Sequence, residues 1–531
     1  MTWGSFMRSV IIAGLIAAIL ACAPPAAASD LYVVRHESWS EADEQGWRDF
    51  VAAIGASDCA TLNACLHGAA NPLRGSDRPG AVFETDCADL PYVLRFYYAW
   101  KHGLPFSYES ALEARGPTRD IRYSKGGNRV TGRSDAPSGE NFFAILQRIR
   151  DAVSSASYRV HPDSEDTDLY PPKLDPASIR AGSIVYDVAG HVGIVYKVDD
   201  RGRIHFFDAH TDYSLTEMTY DLRFARDRPA VGAGFKNWRP IRLVGATRRA
   251  DGSLVGGHIA LAPNKDIADY SQEQFYGNGT RPADADWKNG TFALNGETLD
   301  YYDYVRAQMA GGKLLFEPVV ELREIVRANC SDLHYRAQAV QLALAAGIQN
   351  RAEPERLPEN IYGTEGDWET YSTPSRDARL KTEFKALRDL VQRFVEMQRR
   401  GDQHLVYGGD DLVGDLLKAY DRETRFCFVD TGIGKALAYE DARRRLFAMS
   451  FDPYQCLARR WGGDEPCHAP GRDDADKRAW YAAEQGLRNQ LERTYDARMD
   501  FTLDELRARP VPPAPDTDVR AYLTGQSTSA P

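Results

Sequence analysis

From Gly182 onward the apolar side chains change their spacing, and that change constrains the fold more than any other feature of the chain. The segments SIVYD, HVGIVYKV and RIHFFDAH carry β-branched and aromatic residues at a period of two, with a turn at residues 199–202 between the second and third. This pattern predicts antiparallel strands joined by a hairpin. Alternation along strands connected by that turn puts the side chains of His191, Asp208 and His210 on one face and gives His205 the opposite parity. Further strand-like pieces follow to about residue 259.

Upstream the period is helical. Residues 38–54 read as an amphipathic first helix, and DCADLPYVLRFYYAWKH at 86–102 places apolar side chains at 90, 93, 94, 97 and 100 before Gly103 and Pro105 stop it. Cys87 therefore opens a helix. Unpaired backbone N–H groups and the positive end of the helix dipole lower a thiol pKa at such a position and can hold a developing oxyanion. Thr85, Asp86 and Asp89 are the capping candidates, and Pro91 requires either a regular helix that starts near Asp89 or a kinked first turn. Residues 110–175 are rich in Gly, Ser, Asp and Pro around one helix at 141–154, and read as an insertion able to rim a cleft.

Residues 261–315 read as a linker or extension. Beyond 316 the helical period returns, with Phe384, Leu387, Val391 and Phe394 on one face and similar patterns at 434–447 and 475–497, so 316–509 read as a mainly helical domain. The Pro-, Ser- and Thr-rich stretch 510–531 reads as a disordered tail.

The chain carries a net charge of −11 with both signs interspersed, which excludes a nucleic-acid partner, because phosphate binding needs clustered Lys and Arg. Residues 1–28 read as a bacterial export signal: Arg8, an apolar run from Val10 to Ala21, then small residues. ILAC at 19–22 fits a lipoprotein box and AAA at 26–28 fits ordinary cleavage, so the mature chain is expected in the periplasm or as an outer-membrane lipoprotein whose membrane contact is a lipid on Cys22. In an oxidising compartment Cys59 with Cys65, and Cys456 with Cys467, would each close a small loop, and Cys330 with Cys427 would form a third bridge. Cys87 is then left over. Such a thiol is either buried and inert or reactive. There is no H-E-x-x-H, paired C-x-x-C, phosphate loop or G-x-S-x-G, so neither metal nor cofactor is expected.

A thiol, an imidazole and a carboxylate suit nucleophilic catalysis, with Cys87 as nucleophile, His191 as base, and Asp208, or alternatively His210, orienting the imidazole. Asp-Cys at a helix start, the strand AGSIVY, then HVGIV opening the next strand resembles the NlpC-type cell-wall peptidases and, more loosely, the CHAP amidases, over about residues 80–215. The order Cys, His, Asp also suits a transglutaminase-like relative. The family's D-C-S-G-L reads D-C-A-D-L here.

That resemblance implies an α+β chain: a papain-like domain at 30–260 with a central antiparallel sheet, then the helical domain. It also implies cleavage of amide or peptide bonds in peptidoglycan or another envelope polymer through an acyl-enzyme. Two other functions remain open at this level, a non-catalytic envelope lipoprotein that binds a wall or capsule polymer and an acyltransferase. Tyr362, Trp368, Tyr371 and Arg376, in the loop-like stretch 360–381, have a composition suited to stacking on a polar polymer or, equally, to docking one domain on another.

Overall fold

A computed structural model describes residues 30–527 apart from 119, 211–212, 225, 281–285, 364–365, 372–373, 433–435, 468–474 and 494–496. The export signal and Cys22 lie outside the described residues. The first helix, α1 (Glu41–Gly55), starts at a capping box in which the Ser40 side chain accepts from Asp43 N–H, and it buries Trp47, Phe50, Val51 and Ile54. After a short helix at Leu62–His67, α2 (Leu90–His102) carries Pro91 in its first turn, where no intrahelical N–H is needed, and ends at Gly103 in the left-handed conformation with φ 64°. A long hairpin, β1 (Ser107–Ala114) with β2 (Asn128–Asp135), leads into α3 (Phe142–Ala152).

The central sheet has six strands: β3 (Leu169–Tyr170), β4 (Ile184–Tyr186), β5 (Val192–Val198), β6 (Ile204–Ala209), β7 (Leu215–Thr219) and β8 (Gly234–Trp238). Their order is β3-β8-β4-β5-β6-β7 with every neighbour antiparallel, so the chain is mixed α and β around an antiparallel sheet. Strict alternation divides the side chains. Ile184, Tyr186, Val192, Ile194, Phe207 and Ala209 face the core made with α1 and α2, whereas Val185, Val195, Ile204, Phe206 and Phe235 face the other side. Full burial of each large apolar side chain contributes roughly 1.5–3 kcal/mol relative to exposure, which fixes the register, because a slip by one residue would exchange the two faces. Gly193 is needed at its place, since a Cβ there would lie 2.4 Å from the Phe206 ring.

Three readings from the sequence are corrected here. Residues 261–315 are not a linker: Phe292, and Tyr301, Tyr304, Val305 and Met309 on or beside α4 (Tyr301–Met309), close the second face of the sheet. The stretch 110–175 is built into the first core through Phe142, Ile145, Leu146 and Ile149, and none of its described residues lines the large cavity that holds His191. The tail ends in a helix, α10, over Val519–Ser527, with Val519 and Leu523 buried against the helical layer. The long apolar spacing of those two residues was diluted by the surrounding Pro and Ser.

That helical layer contains α5 (Pro318–Ala345), α6 (Pro374–Arg400), α7 (Leu412–Thr424), α8 (Tyr439–Arg445) and α9 (Ala475–Glu484). The expected helix at 475–497 stops early, passing into a 3-10 turn at Gln485–Leu487. Disulfides join Cys59 to Cys65 and Cys456 to Cys467, as the spacing suggested, and Cys330 to Cys427, a pairing that spacing left open. Among the described residues no helix is long and apolar enough to cross a membrane.

Candidate functional site

Cys87 is the free thiol among the described cysteines. It stands just before α2, in a turn that is continuous with the helix because Leu90 N–H donates to Asp86 C=O at 3.1 Å. Asp86 is the working cap: its Oδ1 accepts from Ala88 N–H at 2.9 Å and Asp89 N–H at 3.0 Å. This corrects one expectation. The first-turn N–H groups that an oxyanion would use are occupied by a carboxylate, and that negative charge works against a thiolate. Burial first, and then Asp86 and Asp208, push the Cys87 thiol up to about 12, while the Val192 N–H pulls the other way. The thiol donates instead to the Gly190 carbonyl, 3.6 Å away.

Gly190 belongs to the turn that delivers His191. Its φ of +89° suits glycine, its N–H donates to Asp187 C=O at 2.9 Å, and Asp187 N–H donates to His191 C=O at 2.9 Å. His191 itself lies one residue before β5. Its Nδ1 is 3.7 Å from Asp208 Oδ2 and makes no hydrogen bond. Gly193 pairs with Asp208 across the β5–β6 ladder, and a bulge between Val195 and Lys197 adjusts the register. Thr216, opposite Asp208 on β7, donates its hydroxyl proton to Asp208 Oδ1. With that proton spent, His210 Nε2–H must be the donor in its 3.0 Å bond to Thr216 Oγ1, which fixes the His210 tautomer.

Burial raises the Asp208 carboxyl above its ordinary value, partly offset by His210 and the Thr216 hydrogen bond. It lowers the His191 imidazole well below the usual histidine range, reinforced by the positive charges of Arg379, Arg493 and Arg376. At neutral pH the resting groups are a neutral thiol and a neutral imidazole. No hydrogen bond joins Cys87 Sγ to the His191 ring.

His191, Asp208 and His210 line one cavity of about 530 Å³, within the range of ligand pockets, and its other walls come from β7, α4, α5 and α6. The helical layer supplies Asp332, Tyr335, Arg379 and Glu383 to this wall. Arg379 Nε lies 3.2 Å from Glu383 Oε1 and 3.4 Å from Asp332 Oδ2, and the Tyr335 ring packs at 5.2 Å on His210. Burial, with Asp332 beside it, raises the Glu383 carboxyl well above its ordinary value, while Arg379 lowers that of Asp332 despite its burial. None of these four was legible in the sequence, since nothing in the spacing of α5 or α6 ties them to strands more than a hundred residues away. Thr216 was within reach: carrying the alternation across the next turn puts it opposite Asp208.

The residues read as polymer contacts separate. Tyr362 and Trp368 are buried, with Tyr362 O–H donating to Arg493 C=O at 2.6 Å and Trp368 packed on Phe451 and Tyr454. They dock the helical layer on the turn that bears His191, through a cluster shared with Val188 and Val231, and are unavailable to a polymer. Tyr371 is partly exposed, and Arg376 lies over the Tyr335 ring at 5.6 Å. Among the described residues no group of three or more His, Cys, Asp and Glu is arranged to hold a metal. Comparison with family models, curated proteins and solved structures found no match to this chain.

Proposed function

We propose that this chain is an exported cysteine hydrolase of amide bonds, papain-like and NlpC-type over residues 80–215, acting on peptidoglycan or another envelope polymer. One observation carries the reading: the single described thiol outside a disulfide is hydrogen-bonded to the residue directly before His191, whose ring lies beside Asp208 in a ligand-sized cavity. Because the imidazole is neutral and the thiol protonated, the proton leaves sulfur during attack rather than before it. His191 accepts it as Sγ bonds to the amide carbonyl carbon. The tetrahedral adduct collapses, the C–N bond breaks, and the imidazolium returns the proton to the leaving nitrogen. Water, deprotonated by the same ring, then attacks the thioester, the C–S bond breaks, and a carboxylic acid and the thiol are released. Asp208 stabilises the imidazolium of both steps, with its 3.7 Å separation closing to a hydrogen bond.

The test compares the mature wild-type protein with Cys87→Ser and His191→Ala on purified peptidoglycan, with soluble products read by mass spectrometry. Loss of general-base catalysis costs about 10²–10⁴-fold. Equal product release from all three would end the reading. A non-catalytic polymer-binding protein is favoured by a different observation, the high thiol pKa and the first-turn N–H groups held by Asp86. Sedimentation of the wild type with peptidoglycan, undiminished by Cys87→Ser and without release of products, would decide for it.

A further inference from the structure

The cavity beside His191 runs from one face of the sheet around to its edge. Four consecutive strand residues, Thr216 to Thr219, line it, which a strand presenting one face cannot do because alternate side chains would point away. Strand β7 is the outermost of the six, with β6 on one side. The phase of that ladder is fixed by His210 N–H donating to Ser214 C=O and Tyr220 N–H donating to Ile204 C=O, each at 2.9 Å. Residues 214, 216, 218 and 220 therefore turn their backbone groups toward β6, and 215, 217 and 219 turn theirs outward, with Glu217 and Thr219 bordering the cavity. Two of the outward groups are taken: Leu215 N–H donates to Ala60 C=O at 2.9 Å, and Thr219 C=O accepts from Arg223 Nη2 at 2.8 Å. The N–H and C=O of Glu217 and the N–H of Thr219 are given no partner by any described residue.

A free edge is ordinarily a liability, but here α5 stands across the cavity and screens it from other strands, with Ala328, Ser331 and Asp332 in the opposite wall. We infer that the cavity takes a short peptide in extended conformation, which adds to β7 as a further strand and exchanges N–H···O=C bonds with Glu217. Thr216, where the edge begins, is hydrogen-bonded to Asp208, so such a strand runs directly past the His191–Asp208 pair. This rests on the hydrolase reading above and deepens it: the substrate is recognised through a peptide backbone and not through a sugar. Backbone recognition of this kind is independent of side-chain identity, and any side-chain preference comes from those that turn to the cavity wall on one face of the added strand. The cavity wall includes the apolar side chains of Tyr302, Val305, Phe316 and Leu390.

The experiment uses the full mature chain carrying Cys87→Ala, so that bound peptides are not consumed. A pool of acetylated, amidated tetrapeptides is passed over it, retained peptides are identified by mass spectrometry, and the best is N-methylated at each amide in turn. Strand addition predicts a period of two, with affinity falling about tenfold where the methylated N–H faced Glu217 and little at the positions between. Glu217→Pro, which removes the outward N–H where an edge strand tolerates proline, should give a similar loss, and Glu217→Gln should not. No retained peptide, or tolerance of N-methylation without alternation, overturns the inference, and the peptide scan decides it even if the proline variant does not fold. Cleavage of the retained peptide by the wild type is measured separately. Alternation without cleavage removes the hydrolase reading and leaves the strand site, while cleavage without alternation does the reverse.

Discussion

The turn that carries His191 is held by a buried ion pair with the far end of the chain, and removing it should loosen the site from behind. Arg493 Nη2 lies 3.1 Å from Asp187 Oδ2, and both side chains are almost fully buried, at 4% and 1% exposure. The same guanidinium donates to the Arg223 carbonyl and, through Nε at 3.4 Å, to Ser375 Oγ. Asp187 in turn accepts from Ala189 N–H at 3.3 Å and, through its carbonyl, from Gly190 N–H at 2.9 Å. Arg493→Met keeps the volume of the stem and removes the charge, leaving Asp187 buried and unpaired. Truncating one partner of a buried pair costs about 3–5 kcal/mol, and replacing both with neutral groups costs much less. Amide hydrogen exchange at Gly190 reads the local opening directly. The expected result is faster exchange by about 10²-fold or more for Arg493→Met, and partial recovery on adding Asp187→Asn. A change under about fivefold, or strictly additive effects of the two substitutions, would refute the reasoning, because it would mean the pair holds neither the turn nor itself.

Three further outcomes follow from the charge states and the disulfides. Alkylation of native Cys87 by iodoacetamide should rise about tenfold per pH unit through pH 10 without a plateau, since the thiol titrates near 12, and a plateau below pH 9 would contradict the buried, Asp86-facing environment. On the acid side, the lowered His191 pKa keeps its imidazole neutral below the ordinary histidine range, so the acid limb of the hydrolysis rate should lie below pH 6.5; the unfolded chain takes up that proton first, so this group's contribution to stability is lost as pH falls below 6.5. Replacing Cys330 and Cys427 by Ser opens a loop of 97 residues and should cost the helical layer about 4 kcal/mol in urea denaturation, with a loss under about 1 kcal/mol counting against the chain-entropy account.

The local signals in the sequence were strong where one interaction dominates. Period-two spacing predicted the strands at 184–186, 192–198 and 204–209, and apolar spacing predicted α2, because burial of one face leaves a repeat that the chain must display. Capping was less legible. Thr85, Asp86 and Asp89 are all plausible caps by residue type, and only the backbone geometry shows that Asp86 takes the Ala88 and Asp89 N–H groups. The aromatic stretch at 360–381 had a composition fit for two uses, and burial of Tyr362 and Trp368 selected docking.

By itself, then, the sequence pointed to the strands at 184–186, 192–198 and 204–209, the helices at 41–55 and 90–102, the two local cysteine loops, while the Cys330–Cys427 pairing needed the structure, and the parity that puts His191, Asp208 and His210 on one side of a sheet. Tertiary structure alone decided what surrounds them. Arg379, Asp332 and Glu383 reach the cavity from helices that begin more than a hundred residues downstream, and Arg493 meets Asp187 across a separation of 306 residues. Hydrophobic periodicity records which face of an element is buried, not which element covers it. The titration of a thiol or an imidazole depends on that cover, through lost solvent and the charges within a few ångströms.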